Sequence, residues 1–110
     1  MDRLRACGAD MDGAMDRFLG DGEFYRECFQ MFLRDPAFAA LDGAMARKDT
    51  AAAFDAAHTL KGVSGNLGLT PFYKAVCALV ELLRRGGTES PVEEYRAVLA
   101  EKSALERLNN

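Results

Sequence analysis

The chain contains one histidine, His58, with Lys61 three residues on and Gly62 and Gly65 close by. An imidazole whose ring nitrogen is unprotonated near neutral pH is a nucleophile. An ammonium one helical turn away can offset negative charge placed on that nitrogen. The pair suits a covalent phosphoryl group on nitrogen. It does not suit hydrolysis, because no pocket, second base or set of oxyanion donors is legible around it. A single imidazole also excludes any chemistry that needs two within one chain. Phosphoryl transfer requires in-line geometry and charge neutralisation, usually with a metal ion. The sequence has no obvious cluster to hold a metal, so the rest of an active site is expected from a partner.

Residues 57–68 must position these groups. On a helix of about 100° per residue, Ala53, Ala56, Leu60, Val63 and Leu67 gather within roughly 40° of the side opposite His58. That is the predicted core stripe. Lys61, Gly62 and Gly65 fall within about 60° of His58, on the outward face. Ser64 turns towards the core and receives a packing role. Each glycine inside a helix costs about 1 kcal/mol relative to alanine. The apolar stripe nevertheless runs on through Val63 and Leu67 without a change of period. The helix is therefore expected to continue, with bare backbone beside the imidazole that leaves room for a large group to approach. Tight helix packing is the competing explanation, and the outward placement of the glycines argues against it. Phe54, one turn before His58, lies near the same side and is either a bundle contact or a docking anchor. Asp55 reads as a solvated charge.

The elements around this helix follow from punctuation and period. The three prolines stand in Asp35-Pro36, Thr70-Pro71 and Ser90-Pro91, each placing a capping residue before the first helical position. Ser90 with Glu93 reads as a capping box, and Asp49 can cap a further start. Gly20, Gly68 and Gly86-Gly87 stand where helices should stop. The predicted segments are a short helix near 10–19, then 21–48, 50–67, 71–85 and 91–108. Pro36 either starts a new helix after Asp35 or kinks one long helix. Phe24, Cys28, Met31 and Phe32 recur at helical intervals, as do Leu79, Leu82 and Leu83, and Val98, Leu105 and Leu108. The Phe, Met and Leu residues are assigned to the core and to no cofactor. Short connections make neighbours antiparallel. The expected fold is all-α, an up-down antiparallel four-helix bundle with a short extra N-terminal helix.

Composition narrows the function further. The 110 residues are enough for one domain, 1–110, with its core at about 9–108. Fourteen Lys+Arg against seventeen Asp+Glu give a net charge of −3, with no basic cluster of the kind a nucleic-acid binder shows. No apolar run approaches the ~20 residues of a membrane span, and the first residues lack the apolar stretch of a signal peptide. Cys7, Cys28 and Cys77 are odd in number and form no C-x-x-C. A disulfide framework is not expected, and neither is a zinc site; a reducing cytoplasm fits.

At His58-Thr59-Leu60-Lys61-Gly62-Val63-Ser64-Gly65-Asn66-Leu67-Gly68 the sequence resembles the histidine-containing phosphotransfer (HPt) domain, whose motif is close to H-x-L-K-G-x-[SA]-x-x-x-G. Upstream, Phe18-Leu19-Gly20-Asp21-Gly22-Glu23-Phe24-Tyr25 resembles that family's approach to its first long helix. Met31-Phe32-Leu33 resembles the apolar end of that helix. The likeness covers nearly the whole chain, residues 1–8 least. It implies a bacterial phosphorelay carrier that takes a phosphoryl group from the receiver domain of a hybrid sensor histidine kinase and gives it to the receiver domain of a response regulator. Carried over by the motif, His58 is the phosphoacceptor, Lys61 steadies the phosphoryl group, Gly62 keeps the approach open and Gly65 assists docking. Met11, Met15 and Phe18 are further partner contacts by resemblance. The family often sets a polar residue of the following helix beside the histidine. Among residues 77–81 only Glu81 is polar, and its carboxylate would repel phosphate. A single exposed phosphosite needs no second copy, so a cytoplasmic monomer is expected, with no metal of its own and Mg²⁺ coming with the receiver domain.

No G-x-x-x-x-G-K-[ST] occurs and there is no room for a kinase domain, so the chain is not expected to be an enzyme that phosphorylates itself. Two other classes compete with this reading. A helical adaptor of the same shape would need no nucleophile, and the retention of His, Lys and Gly at their offsets counts against it. An acid–base enzyme using His58 would need a concave site, which the outer face of a bundle rarely offers.

Overall fold

The computed structural model describes residues 2–86 and 90–109. Among them seven helices follow in order: α1 (Asp2–Ala6), α2 (Met11–Arg17), α3 (Gly22–Leu33), α4 (Pro36–Arg47), α5 (Thr50–Asn66), α6 (Thr70–Arg85) and α7 (Val92–Leu108). No strand occurs among the described residues. The fold is the all-helical bundle the sequence predicts.

Four aspartates start helices by accepting from the first free backbone N–H groups. Asp10 accepts from Gly13 at 3.0 Å, Asp21 from Phe24 at 3.0 Å, Asp35 from Ala37 at 2.8 Å and Asp49 from Ala52 at 3.1 Å. Pro36 starts a helix and does not kink one. Asp35 takes φ −61° and ψ 130°, the extended geometry imposed on a residue before proline, and α3 has already ended at Leu33. The predicted 21–48 segment is therefore two helices. At the N-terminus there are likewise two short helices where one was expected, α1 being five residues long.

Helices α4, α5, α6 and α7 pack in sequence order, each chiefly on its neighbours, while α1 and α3 pack on α7. Two-residue and three-residue connections between α4, α5 and α6 leave no alternative to antiparallel packing. Phe32, Phe38 and Phe72 meet edge to face, with ring centroids 5.2–5.9 Å apart, the arrangement that aromatic quadrupoles favour. Leu41, Leu60, Val76, Leu79, Val80 and Val98 fill the interior between the helices.

Three readings of the sequence need correction. The buried side of α3 is Tyr25, Phe29 and Phe32. Phe24 is 52% exposed and Met31 64%, and Leu19 lies almost wholly in solvent, so these three do not belong to the core. The choice falls to Tyr25 because its hydroxyl donates to the buried carbonyl of Leu67 at 2.5 Å. Thr70 is not a cap: α6 begins on it, Leu69 precedes it, and the Thr70 hydroxyl donates to the Gly68 carbonyl at 3.4 Å. Ser90 does not form a box with Glu93. Pro91 occupies the cap position of α7, and Ser90 Oγ accepts only from Val92, at 3.4 Å. Gly20, Gly68 and Gly86 do mark chain reversals with φ of +76°, +68° and +60°. Gly87, the other expected stop, lies outside the described residues.

Candidate functional site

Helix α5 runs unbroken from Thr50 to Asn66 and so through both internal glycines. Ala53, Ala56, Ala57, Leu60 and Ser64 form its buried side, with Val63 packed at the margin. Leu67 follows, fully buried. His58 is thereby exposed in mid-helix, with Gly62 exposed one turn on and Lys61 and Gly65 half-buried. Ser64 donates its hydroxyl back to the Lys61 carbonyl at 3.1 Å, which satisfies the buried oxygen and gives it a packing role.

His58, Lys61, Gly62, Gly65, Asn66 and Tyr73 line a shallow groove of about 210 Å³. The two glycines differ within it. A Cβ on Gly62 would meet nothing within 4 Å. A Cβ on Gly65 would stand 3.2 Å from Cε2 of Tyr73. Close helix packing therefore accounts for Gly65, whereas Gly62 faces open space. The Cys77 side chain beside the Tyr73 hydroxyl raises the pKa of that phenol above its ordinary value.

Phe54 is half-buried and stacks on His58, ring centroids 5.7 Å apart and planes at 28°. The guanidinium of Arg84 lies 5.7 Å from the centre of the Phe54 ring. Arg84 also pairs with Glu81 at 3.4 Å, so that carboxylate is matched by a cation. The contacts of Arg84 with Phe54 and of Tyr73 with Gly65 fix the antiparallel register of α6 on α5. By that register the residue opposite His58 is Val80, which is fully buried. The polar groups of α6 thus flank the imidazole and none stands across from it.

The C-terminal end of α5 is held by the N-terminal segment. Arg17 donates through Nε to the Asn66 carbonyl at 2.9 Å and through a terminal nitrogen to the Gly65 carbonyl at 3.1 Å. The Asp10 amide donates to the Gly68 carbonyl at 2.8 Å. Carbonyls at a helix end lack partners within the helix, and a cation there also matches the dipole. Asp55 is exposed. Met15 and Phe18 are half-buried, while Met11 is 1% exposed and has no surface to offer a partner.

Sequence reasoning placed His58, Lys61, Gly62, Gly65 and Phe54 together, and the structure brings all five onto one stretch of α5. It missed Arg17, Tyr73 and Arg84. The last two lie just outside the 77–81 window of α6, and a register one turn wider on either side would have included both.

The architecture defines a class: a helical bundle that displays one imidazole on the outer face of a central helix, beside a cation and a patch of bare backbone. Comparison with protein-family models matches the Hpt domain over residues 26–110, which takes in every residue of the groove. No curated protein and no solved structure matches the chain. The chain belongs to the Hpt domain family and is a phosphotransfer module of two-component signalling. Domains of this family carry phosphoryl groups and are not kinases, and they interact with receiver domains in phosphorelays. Among the described residues no helix is long and apolar enough to cross a membrane.

Proposed function

We propose that His58 carries a phosphoryl group between receiver-domain aspartates in a bacterial phosphorelay. The observation that supports this best is the exposed imidazole in mid-helix beside Gly62, whose missing side chain leaves open space. The donor is the aspartyl phosphate of a hybrid sensor kinase's receiver domain. The unprotonated ring nitrogen attacks phosphorus. A P–N bond forms, the P–O bond to aspartate breaks, and the carboxylate leaves with the electron pair. The other ring nitrogen holds its proton throughout. The reverse step delivers the group to the aspartate of a response regulator.

Lys61 places an ammonium beside the transferred group, where a charge-assisted hydrogen bond to a phosphoryl oxygen offsets its negative charge. The remaining charge would be offset by Mg²⁺ brought by the receiver domain. Gly62 lets the receiver's backbone approach. Gly65 and Phe54 border the docking surface. The carrier is a cytoplasmic monomer that needs no cofactor of its own, since one exposed phosphosite requires no second copy.

The test is transfer of labelled phosphate from a phosphorylated receiver domain with Mg²⁺. The wild-type chain becomes labelled and His58→Gln does not. An adaptor that only shares the shape would leave both unlabelled.

A further inference from the structure

An exposed side chain on a helix samples several staggered rotamers. Only some of them aim the ring nitrogen of a histidine at an incoming phosphorus atom, so a device that selects one rotamer raises the reactive fraction. Helical side chains lean back towards the preceding turn. His58 leans onto Phe54, four residues earlier, and the two rings stack at 28°. Phe54 is itself held from α6, because the Arg84 guanidinium sits 5.7 Å from its ring centre and Glu81 fixes that guanidinium at 3.4 Å. A docking anchor would stand clear of its own protein. Phe54 instead is half-buried and touches the nucleophile.

We infer that Phe54 and Arg84 are positioning residues: Phe54 is the platform that orients the imidazole of His58, and Arg84 acts through Phe54 by holding that platform in place. The inference deepens the relay reading and rests on it. It gives Phe54 a role that precedes docking, and gives Arg84 a role that needs no contact with phosphate.

A small donor separates positioning from docking. Phosphoramidate has no surface to dock. The ring nitrogen attacks the phosphorus of the N-protonated donor, the P–N bond to the ammonium leaving group breaks, and ammonia departs with the electron pair. The full chain and four variants would be followed by ³¹P NMR, with ring-to-ring contacts read by proton NMR. Phe54→Leu is expected to lose a fixed ring orientation and to react about three- to tenfold more slowly. Phe54→Tyr keeps the platform and stays within about twofold of wild type. Arg84→Met slows the reaction about twofold in the wild-type background and adds nothing in Phe54→Leu, the non-additivity expected of a residue acting through another. If Phe54→Leu reacts with phosphoramidate as fast as wild type, the inference is overturned, even where transfer from a receiver is slowed. A further loss on adding Arg84→Met to Phe54→Leu overturns the role given to Arg84. Should Phe54→Leu fail to fold, Arg84→Met alone decides: loosened Phe54–His58 contacts with a slower reaction uphold the inference, and unchanged contacts overturn it. A wild-type chain that takes no phosphate from either donor removes the relay reading itself, a result distinct from the others.

Discussion

Arg17 donates to the carbonyl of Asn66 at 2.9 Å and so ties α2 to the last turn of the helix that bears His58. A second bond from the same guanidinium reaches Gly65 at 3.1 Å. Both acceptors lie in the last turn of α5, where carbonyls lose their regular helical partners; that of Gly65 also accepts from the Gly68 amide at 3.2 Å. The side chain is exposed, so its contribution is that of a solvent-screened charged hydrogen bond. Arg17→Met is expected to lower stability by about 1 kcal/mol, and amide hydrogen exchange should quicken in residues 62–66 while the start of α5 is unchanged. Uniform exchange along α5 would show that Arg17 does not hold its end.

Gly62 and Gly65 occupy the same face but different surroundings. Gly62→Ala restores helix propensity with nothing in its way, and denaturation should report a gain of about 0.5–1 kcal/mol. Gly65→Ala gains the same propensity and loses part of it against Tyr73, whose ring would lie 3.2 Å from the new Cβ. Its net gain is expected to be smaller than that of Gly62→Ala. Gly62→Gln should combine greater stability with slower transfer from a receiver domain, because the added side chain obstructs approach. Equal stabilisation at both positions would contradict the packing assigned to Gly65, and unimpaired transfer in Gly62→Gln would contradict the open approach assigned to Gly62.

How much of this the sequence contains depends on whether a feature is set within one helix or between two. The outward face of α5 was legible because the 3.6-residue period is rigid: once Ala53, Ala56 and Leu60 face the core, His58 must face away. Capping by Asp35 and Asp49 was legible for the same local reason. The inward side of α3 was not. Phe24 and Tyr25 differ by only about 100° on the helix, and the hydrogen bond from Tyr25 to Leu67, 42 residues away in sequence, decides between them. Arg17, Tyr73 and Arg84 join the site through register between elements, which periodicity along one helix does not determine. Helix α1 was missed because five residues are too few to show a period.

Tyr25 supplies a pH dependence with a definite sign. Burial raises its pKa from 10.0 to about 12, the nearby charge of Arg17 lowering it in part. The folded state holds the neutral phenol, while the unfolded chain releases its proton near the ordinary value. The stabilisation is therefore complete below pH 10 and is lost as pH rises through about 12. Tyr95 shifts in the same direction to about 12, chiefly by burial and then by its hydrogen bond to Asp42; it is the more exposed of the two and contributes less. Tyr25→Phe should cost about 1–2 kcal/mol at neutral pH, because the Leu67 carbonyl loses its donor, and should flatten the alkaline decline. A wild-type chain equally stable at pH 9 and pH 12 would contradict this assignment.

In the proposed relay, one nitrogen of His58 forms the bond to phosphorus. The measurement that addresses it most directly is site mapping after transfer from a phosphorylated receiver domain. Digestion and mass spectrometry under alkaline conditions preserve a phosphoramidate bond, and a parallel acid treatment destroys it. A single phosphorylated peptide containing His58 is expected, stable in alkali, lost in acid, and missing from His58→Gln. Phosphate found on a hydroxyl or carboxylate side chain, or equal labelling of His58→Gln, would contradict it.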